Sequence, residues 1–202
     1  MTTATDLVND ICFEGESIVN YPDSLHPIGK GRSAAVFKLS LENKVLKVFY
    51  PEFHHLAEQE ADIYKELDND VYYPKLYEAG KGYLILEYLD GVTFYDCLIE
   101  GIEITREMVQ NVDDALSYAK RKGLNPSDTH LQNVMLLKNG EVRVIDVVRF
   151  RQTKECSHWE DLKTAYNTIY CTAYFPRKVP VWVVETVIRL YRKGIIKLNK
   201  GK

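Results

Sequence analysis

"DTHLQNVMLLKNGEVRVID", residues 128–146, sets Asp128, His130 and Asn133 in one short polar stretch and ends an apolar run on a further aspartate, Asp146. Between them, VMLL and EVRVID read as two strands around the turn residues Lys138, Asn139 and Gly140. A tight hairpin returns the chain to where it began, so Asp146 is expected beside Asn133. Taken alone, Asp128 could equally close an ordinary Asx turn. The rest of the chain has to decide between a polar loop and a site.

The bulk properties narrow the choice. The chain has 202 residues, 46% hydrophobic and 27% charged, enough for one ordinary domain or two small lobes with a real core. A net charge of −3 gives no general attraction to nucleic acid or to an anionic membrane. No stretch approaches the roughly 20 apolar residues that span a bilayer. The acidic N-terminus, MTTATDLVNDICFEGE, lacks a signal-peptide pattern, and a cytoplasmic location is expected. The four cysteines, Cys12, Cys97, Cys156 and Cys171, form no CxxC pair, so they are read as packing residues and not as zinc ligands or disulfides.

Residues 1–27 read as an extension that ends in the turn YPDSLHP. IGKGRSAAVFKLSLENKVLKVFY follows, with alternating Val36, Leu39 and Leu41, then Val45, Lys47 and Phe49, which predicts two or three antiparallel strands up to Pro51. Over residues 52–68 the period changes. Phe53, Leu56, Ala57, Glu60, Ile63, Tyr64 and Leu67 share one helical stripe, with Glu60 the odd carboxylate. YLILEYLD, residues 83–90, is a strand-like run between KG and DG turns. Helices are expected over 93–100, over 106–122 with Thr105 as N-cap and Gly123 as stop, and over 159–170 and 180–194. The order predicts an α+β chain in two lobes.

Some of these residues suit phosphoryl transfer, which is largely a matter of positioning and charge neutralisation. Gly29 and Gly31 would let main-chain amides approach an anion. Lys47 sits on an apolar strand face and needs a partner there, for which Glu60 is the natural choice. Asp128 could orient an acceptor hydroxyl or take its proton, and Asn133 and Asp146 carry the hard oxygens that Mg²⁺ prefers, though Mn²⁺ suits them as well.

In this order the residues resemble the protein-kinase-like superfamily over roughly residues 28–170. Residues 28–36 look like its Gly-rich loop, VLKVF like the strand of the phosphate-binding lysine, and EQEADIYKEL like the helix of its glutamate. DTHLQN resembles the D-x-x-x-x-N catalytic loop, and VRVID the strand ending in the metal-binding aspartate. The resemblance implies a bilobal kinase-like fold, with a small antiparallel-sheet lobe over residues 28–88 and a reduced helical lobe over 89–202. It also implies that ATP lies against Ile28, Gly29, Gly31, Val36 and Lys47, with Glu87, Tyr88 and Leu89 as the hinge that meets adenine. Glu60 would hold Lys47, Asp128 would be the catalytic base, Asn133 and Asp146 would hold Mg²⁺, and His130 would stand where many such kinases have a lysine. This D-x-H-x-x-N form is similar to the Bud32-like and other atypical kinases and to the antibiotic phosphotransferases. Asp161 could support the catalytic loop or simply be an acid near a helix N-terminus.

The sequence also departs from the pattern. Ala34 replaces the third glycine of the loop, and Pro126-Ser127 replaces the usual His-Arg. Val147-Val148 follows Asp146 where Phe-Gly is usual, and only twelve residues separate Asp146 from Trp159. Little room is left for an activation segment that would seat a peptide. The stretch RLYRKGIIKLNKGK has six basic residues and no acid; it is read as a solvated end, and a nucleic-acid contact is not the favoured reading. Three functions follow. The leading one is a minimal serine/threonine kinase with an unidentified hydroxyl acceptor, expected to be a protein. A small-molecule kinase of the aminoglycoside-phosphotransferase type ranks below it, since no substrate-binding insertion fits the length. A nucleotide-binding scaffold without catalysis ranks last.

Overall fold

The computed structural model describes residues 3–68, 71–154 and 156–196. The chain divides into two compact units, Met1–Leu89 with Asp146–Val148, and Asp90–Ile145 with Arg149–Lys202.

The first unit begins with α1 (Ala4–Asn9), capped by Thr3 and Asp6 in a reciprocal box. The hairpin β1 (Cys12–Glu14) and β2 (Ser17–Asn20) comes next. A five-stranded antiparallel sheet follows, formed by β3 (Leu25–Lys30), β4 (Ala34–Leu39) and β5 (Lys44–Phe49), then, after α2 (His55–Leu67), by β6 (Leu76–Gly80) and β7 (Tyr83–Glu87). Its strand order is β3-β4-β5-β7-β6. On one face Leu25, Ala35, Phe37, Leu46, Val48 and Ile85 form a core on which Leu7 and Val8 of α1 and Phe13 and Ile18 of the hairpin pack. The segment ahead of residue 28 thus closes one side of the sheet.

The other face carries Lys47, since side chains alternate along a strand. Here α2 buries Ala57, Glu60, Ala61, Ile63, Tyr64 and Leu67. The strand β5 is therefore covered on both faces, and its burial runs unbroken from Val45 to Phe49. Leu41, read from the sequence as part of the alternation, lies instead in the β4–β5 turn and is 98% exposed. Ala34 begins β4 opposite Phe49 and has no positive φ, so the strand makes no demand there that only glycine could meet.

In the second unit β8 (Gly91–Thr93), β9 (Val134–Leu137) and β10 (Val142–Val144) form a small antiparallel sheet in the order β10-β9-β8. The close approach of β8 to β9 requires Gly91, because a Cβ there would lie 2.2 Å from the Leu136 carbonyl oxygen. The helices are α3 (Phe94–Glu100), α4 (Arg106–Arg121), α5 (His158–Ala165), which runs on into a wide turn at Tyr166–Tyr170, and α6 (Val181–Arg192). Thr105 caps α4 through the Met108 amide, and Gly123 follows its end at φ +83°. The α+β class holds. Among the described residues no helix is long and apolar enough to cross a membrane. Of the basic tail, residues 197–202 lie outside the described residues.

The cysteines correct one expectation. All four are unpaired, but only Cys97 is buried, while Cys12 and Cys171 are exposed and so are not packing residues.

Candidate active site

The first unit assembles a three-residue charge cluster. Lys47 Nζ donates to both Glu60 oxygens, at 2.8 and 2.6 Å, and to Asp146 Oδ1 at 2.9 Å. Lys47 comes from the middle of β5 and Glu60 from the buried stripe of α2. Asp146 follows β10, at the start of a three-residue segment that belongs to this unit. Glu60 is fully buried and Lys47 nearly so, whereas the Asp146 side chain is 46% exposed.

The electrostatics follow from that geometry. Burial opposes the charge on Lys47, but Asp146 and Glu60 outweigh it and hold the ammonium above its ordinary range. Burial pushes the Glu60 carboxyl up, and the Lys47 charge pulls it back. The net effect raises Glu60 to about 7, so the cluster carries an excess negative charge only when Glu60 is ionised. Tyr64 of α2 adds a buried hydroxyl beside the Asp146 main chain. Burial keeps that hydroxyl protonated, near Glu60 and Asp146.

Three more predicted positions lie along β3 and β4. Gly29 pairs with Val36, and Val36 with Lys47. Ile28 is 50% exposed, an apolar side chain left uncovered. Neither Gly29 nor Gly31 has a positive φ, and a Cβ would meet only ordinary contacts, Val36 at 3.6 Å and the Ala34 carbonyl at 3.5 Å. The chain's own packing does not demand glycine at either place. At the end of β7 the Glu87 amide donates to Lys75 and the Tyr88 amide to Asn43. The Leu89 amide, on a buried residue, makes no hydrogen bond among the described residues.

The second unit holds the loop. Asp128 adopts φ +62°, and Asp146 in the first unit adopts φ +58°. The left-handed region costs a residue other than glycine of order 1–3 kcal/mol and is kept where its surroundings enforce it. For Asp128 those surroundings are visible. Asn133 Nδ2 donates to the Asp128 carbonyl at 3.0 Å, and the Asp128 amide donates to Cys156 Sγ at 3.4 Å. Arg149 Nε lies 3.2 Å from Asp128 Oδ2, and His158 Nδ1 lies 3.4 Å from Oδ1. Partial burial alone would raise this carboxyl, but His158, His130 and Arg149 outweigh it and hold it below the ordinary value.

Asn133 is buried, and its Oδ1 has no partner among the described residues. Its main-chain carbonyl accepts from the Ile145 amide, so the hairpin brings residue 145 back to residue 133. Asp161 makes no direct hydrogen bond to this loop among the described residues. It is only half-buried and accepts from Ser157 Oγ at 2.8 Å and Tyr191 Oη at 2.6 Å.

Sequence reasoning did not find Arg149, Cys156, His158 or Tyr64 as site residues. Tyr64 was on the apolar stripe and read only as core. The first three lie in a stretch without periodicity, where no sequence signal ties them to Asp128.

No protein-family profile matches the chain. It is 44% identical over 199 residues to YrzF of Bacillus subtilis, provisionally named a serine/threonine-protein kinase, across 96% of this chain and 93% of that one. A Streptomyces coelicolor protein, also provisionally named a serine/threonine-protein kinase, is 29% identical over 133 residues, 60% of this chain and 19% of its own length. Aurora kinase C of Mus musculus is 28% identical over 137 residues, 59% of this chain and 50% of its own. The chain belongs to the protein-kinase-like superfamily. Within it, YrzF is a relative that it matches over nearly its whole length.

Proposed function

We propose that the chain is a minimal serine/threonine protein kinase that transfers the γ-phosphoryl group of ATP to a hydroxyl of a protein acceptor. The observation that carries this reading is the Lys47–Glu60–Asp146 cluster. A lysine held charged by two carboxylates, on a strand next to an open glycine-bearing turn, is built to meet phosphate.

Lys47 contacts the α and β phosphates, with Glu60 fixing its direction. Gly29 and Gly31 leave their main chain open to the phosphates, and Ile28 and Val36 cover the adenine. The residues at the end of β7 form the hinge, where the unpartnered Leu89 amide is a ready donor to the base. Asp146 and Asn133 offer oxygens to a divalent cation. The half-exposed Asp146 carboxylate in the first unit and the Asn133 Oδ1 in the second, without a partner among the described residues, are each an oxygen of the kind such an ion takes, and Mg²⁺ typically needs only one or two protein oxygens besides the phosphates. When bound, Mg²⁺ supplies neutralisation of phosphate charge. Asp128 orients the acceptor hydroxyl and takes its proton. Its depressed pKa suits a loose transition state in which alignment counts for more than early proton removal. The unpaired cysteines accord with a reducing, cytosolic setting.

The test is transfer of label from γ-labelled Mg-ATP to dephosphorylated casein and to the chain itself, for wild type beside Asp128→Ala. Label in the wild type alone is expected. Equal labelling by both proteins would overturn the assignment.

A further inference from the structure

The segment after Asp146 leaves little room for an activation segment, and most of its described part is bound to the loop that carries Asp128. The Asn125 amide donates to the Phe150 carbonyl at 2.7 Å, and Asn125 Nδ2 donates to the carbonyls of Gln152 and Lys154 at 2.7 and 3.1 Å. Cys156 Sγ accepts the Asp128 amide. Arg149 Nε and His158 Nδ1 then lie 3.2 and 3.4 Å from one carboxylate oxygen each, the histidine contact falling short of hydrogen-bond geometry. All of these residues belong to the second unit.

We propose that residues 149–154 and 156–158 are a built-in brace for the catalytic loop, and that Arg149 and His158 are positioning residues that fix the direction of the Asp128 carboxylate. This rests on the kinase reading for its catalytic meaning, but not for the brace itself. Partners on both carboxylate oxygens remove the freedom of the side chain to turn. Asp128 already carries a left-handed backbone, and a side chain on so constrained a main chain needs partners that hold it from outside the loop. The brace is intrinsic to the fold and needs no phosphorylation to form. Arg149 makes no contact with ATP in this assignment. Its loss should therefore lower turnover and leave nucleotide affinity alone.

The experiment is a double-mutant cycle on the full chain, read in two ways. Casein phosphorylation from Mg-ATP is measured for wild type, Arg149→Gln, Asp128→Asn and the double variant, with Arg149→Lys and His158→Gln alongside. Arg149→Gln is expected to reduce kcat at least ten-fold with KM for ATP within two-fold. Arg149→Lys is expected to recover part of that loss, and His158→Gln to lower kcat to a smaller degree. In the Asp128→Asn background Arg149→Gln should have no further effect. An equal fold-loss in both backgrounds would show a general structural role and overturn the proposal, as would a rise in KM for ATP with kcat unchanged. The second readout is the urea midpoint of the same four proteins, which requires no activity. Non-additive midpoints are expected, and additive midpoints would overturn the brace. If Asp128→Asn transfers phosphate as well as wild type, the kinase assignment of Asp128 fails instead, and the urea cycle alone decides the brace.

Discussion

Lys47 Nζ is held by both oxygens of Glu60, at 2.8 and 2.6 Å, in a pair that reaches from the middle of a strand to the buried face of the following helix. Removing Lys47 leaves Glu60 fully buried without its cation. Lys47→Met should therefore cost about 3–5 kcal/mol of stability. Lys47→Met with Glu60→Leu should recover a good part of that cost, because an apolar pair of similar volume carries no desolvation penalty. Urea unfolding of the single and double variants measures both. A double variant less stable than Lys47→Met would contradict this account.

Asp128→Asn keeps the shape of the side chain and removes its charge. Loss of a general base typically costs about 10²–10⁴-fold in rate. Turnover should fall by that order while the Kd for ATP, measured by calorimetry, stays within about three-fold. A parallel loss of ATP affinity would place Asp128 in nucleotide binding instead.

The same residue carries a pH dependence. The folded chain holds the Asp128 carboxyl below its ordinary value of 3.8. The folded state therefore binds its proton less readily than the unfolded state, and the stabilising contribution is complete above that value. It is lost as pH falls through the depressed folded value. The Tm difference between wild type and Asp128→Asn should shrink as pH falls below about 5 toward the depressed folded value. A difference that stayed the same down to pH 3 would mean that Arg149 and His158 do not act on this carboxyl.

Glycines separate folding from binding. Gly31 has room for a Cβ and an ordinary φ, so Gly31→Ala should change stability by no more than about 0.5 kcal/mol. It should nonetheless weaken ATP binding several-fold, since the methyl group occupies the approach to the main chain. Gly82 is the control. It has φ +79°, and a Cβ there would lie 2.5 Å from the His54 ring. Gly82→Ala should cost at least about 1 kcal/mol from the backbone alone. Thermal melts and ATP titrations of the two variants check both halves.

Thiol labelling tests the burial. Burial pushes the Cys97 thiol up to about 11, so at neutral pH it has almost no thiolate and no access to reagent. Iodoacetamide should modify Cys12 and Cys171 first and Cys97 only on unfolding, as read by mass spectrometry. Rapid labelling of Cys97 in the native protein would show that α3 opens.

By itself the sequence determined whatever depends on neighbours within a few residues. The Thr105 cap, the stop at Gly123, the 138–140 turn and the stripe that places Glu60 among apolar side chains are local, because periodicity and turn chemistry are written in adjacent residues. The same periodicity put Lys47 on an apolar face and so posed the need for a partner.

Only the tertiary structure decided what the strands and loops meet. Alternation along β5 suggested one covered face, but α2 and the core beneath the sheet cover both. Lys47 also holds Asp146, 99 residues away, a contact that no local pattern encodes. The neighbours of Asp128 are the clearest case. Arg149, Cys156 and His158 come from a segment with no period and no motif, and they reach Asp128 only because the hairpin turns the chain back after residue 133. A sequence pattern shows which face a side chain takes. The partner across that face depends on the path of the whole chain.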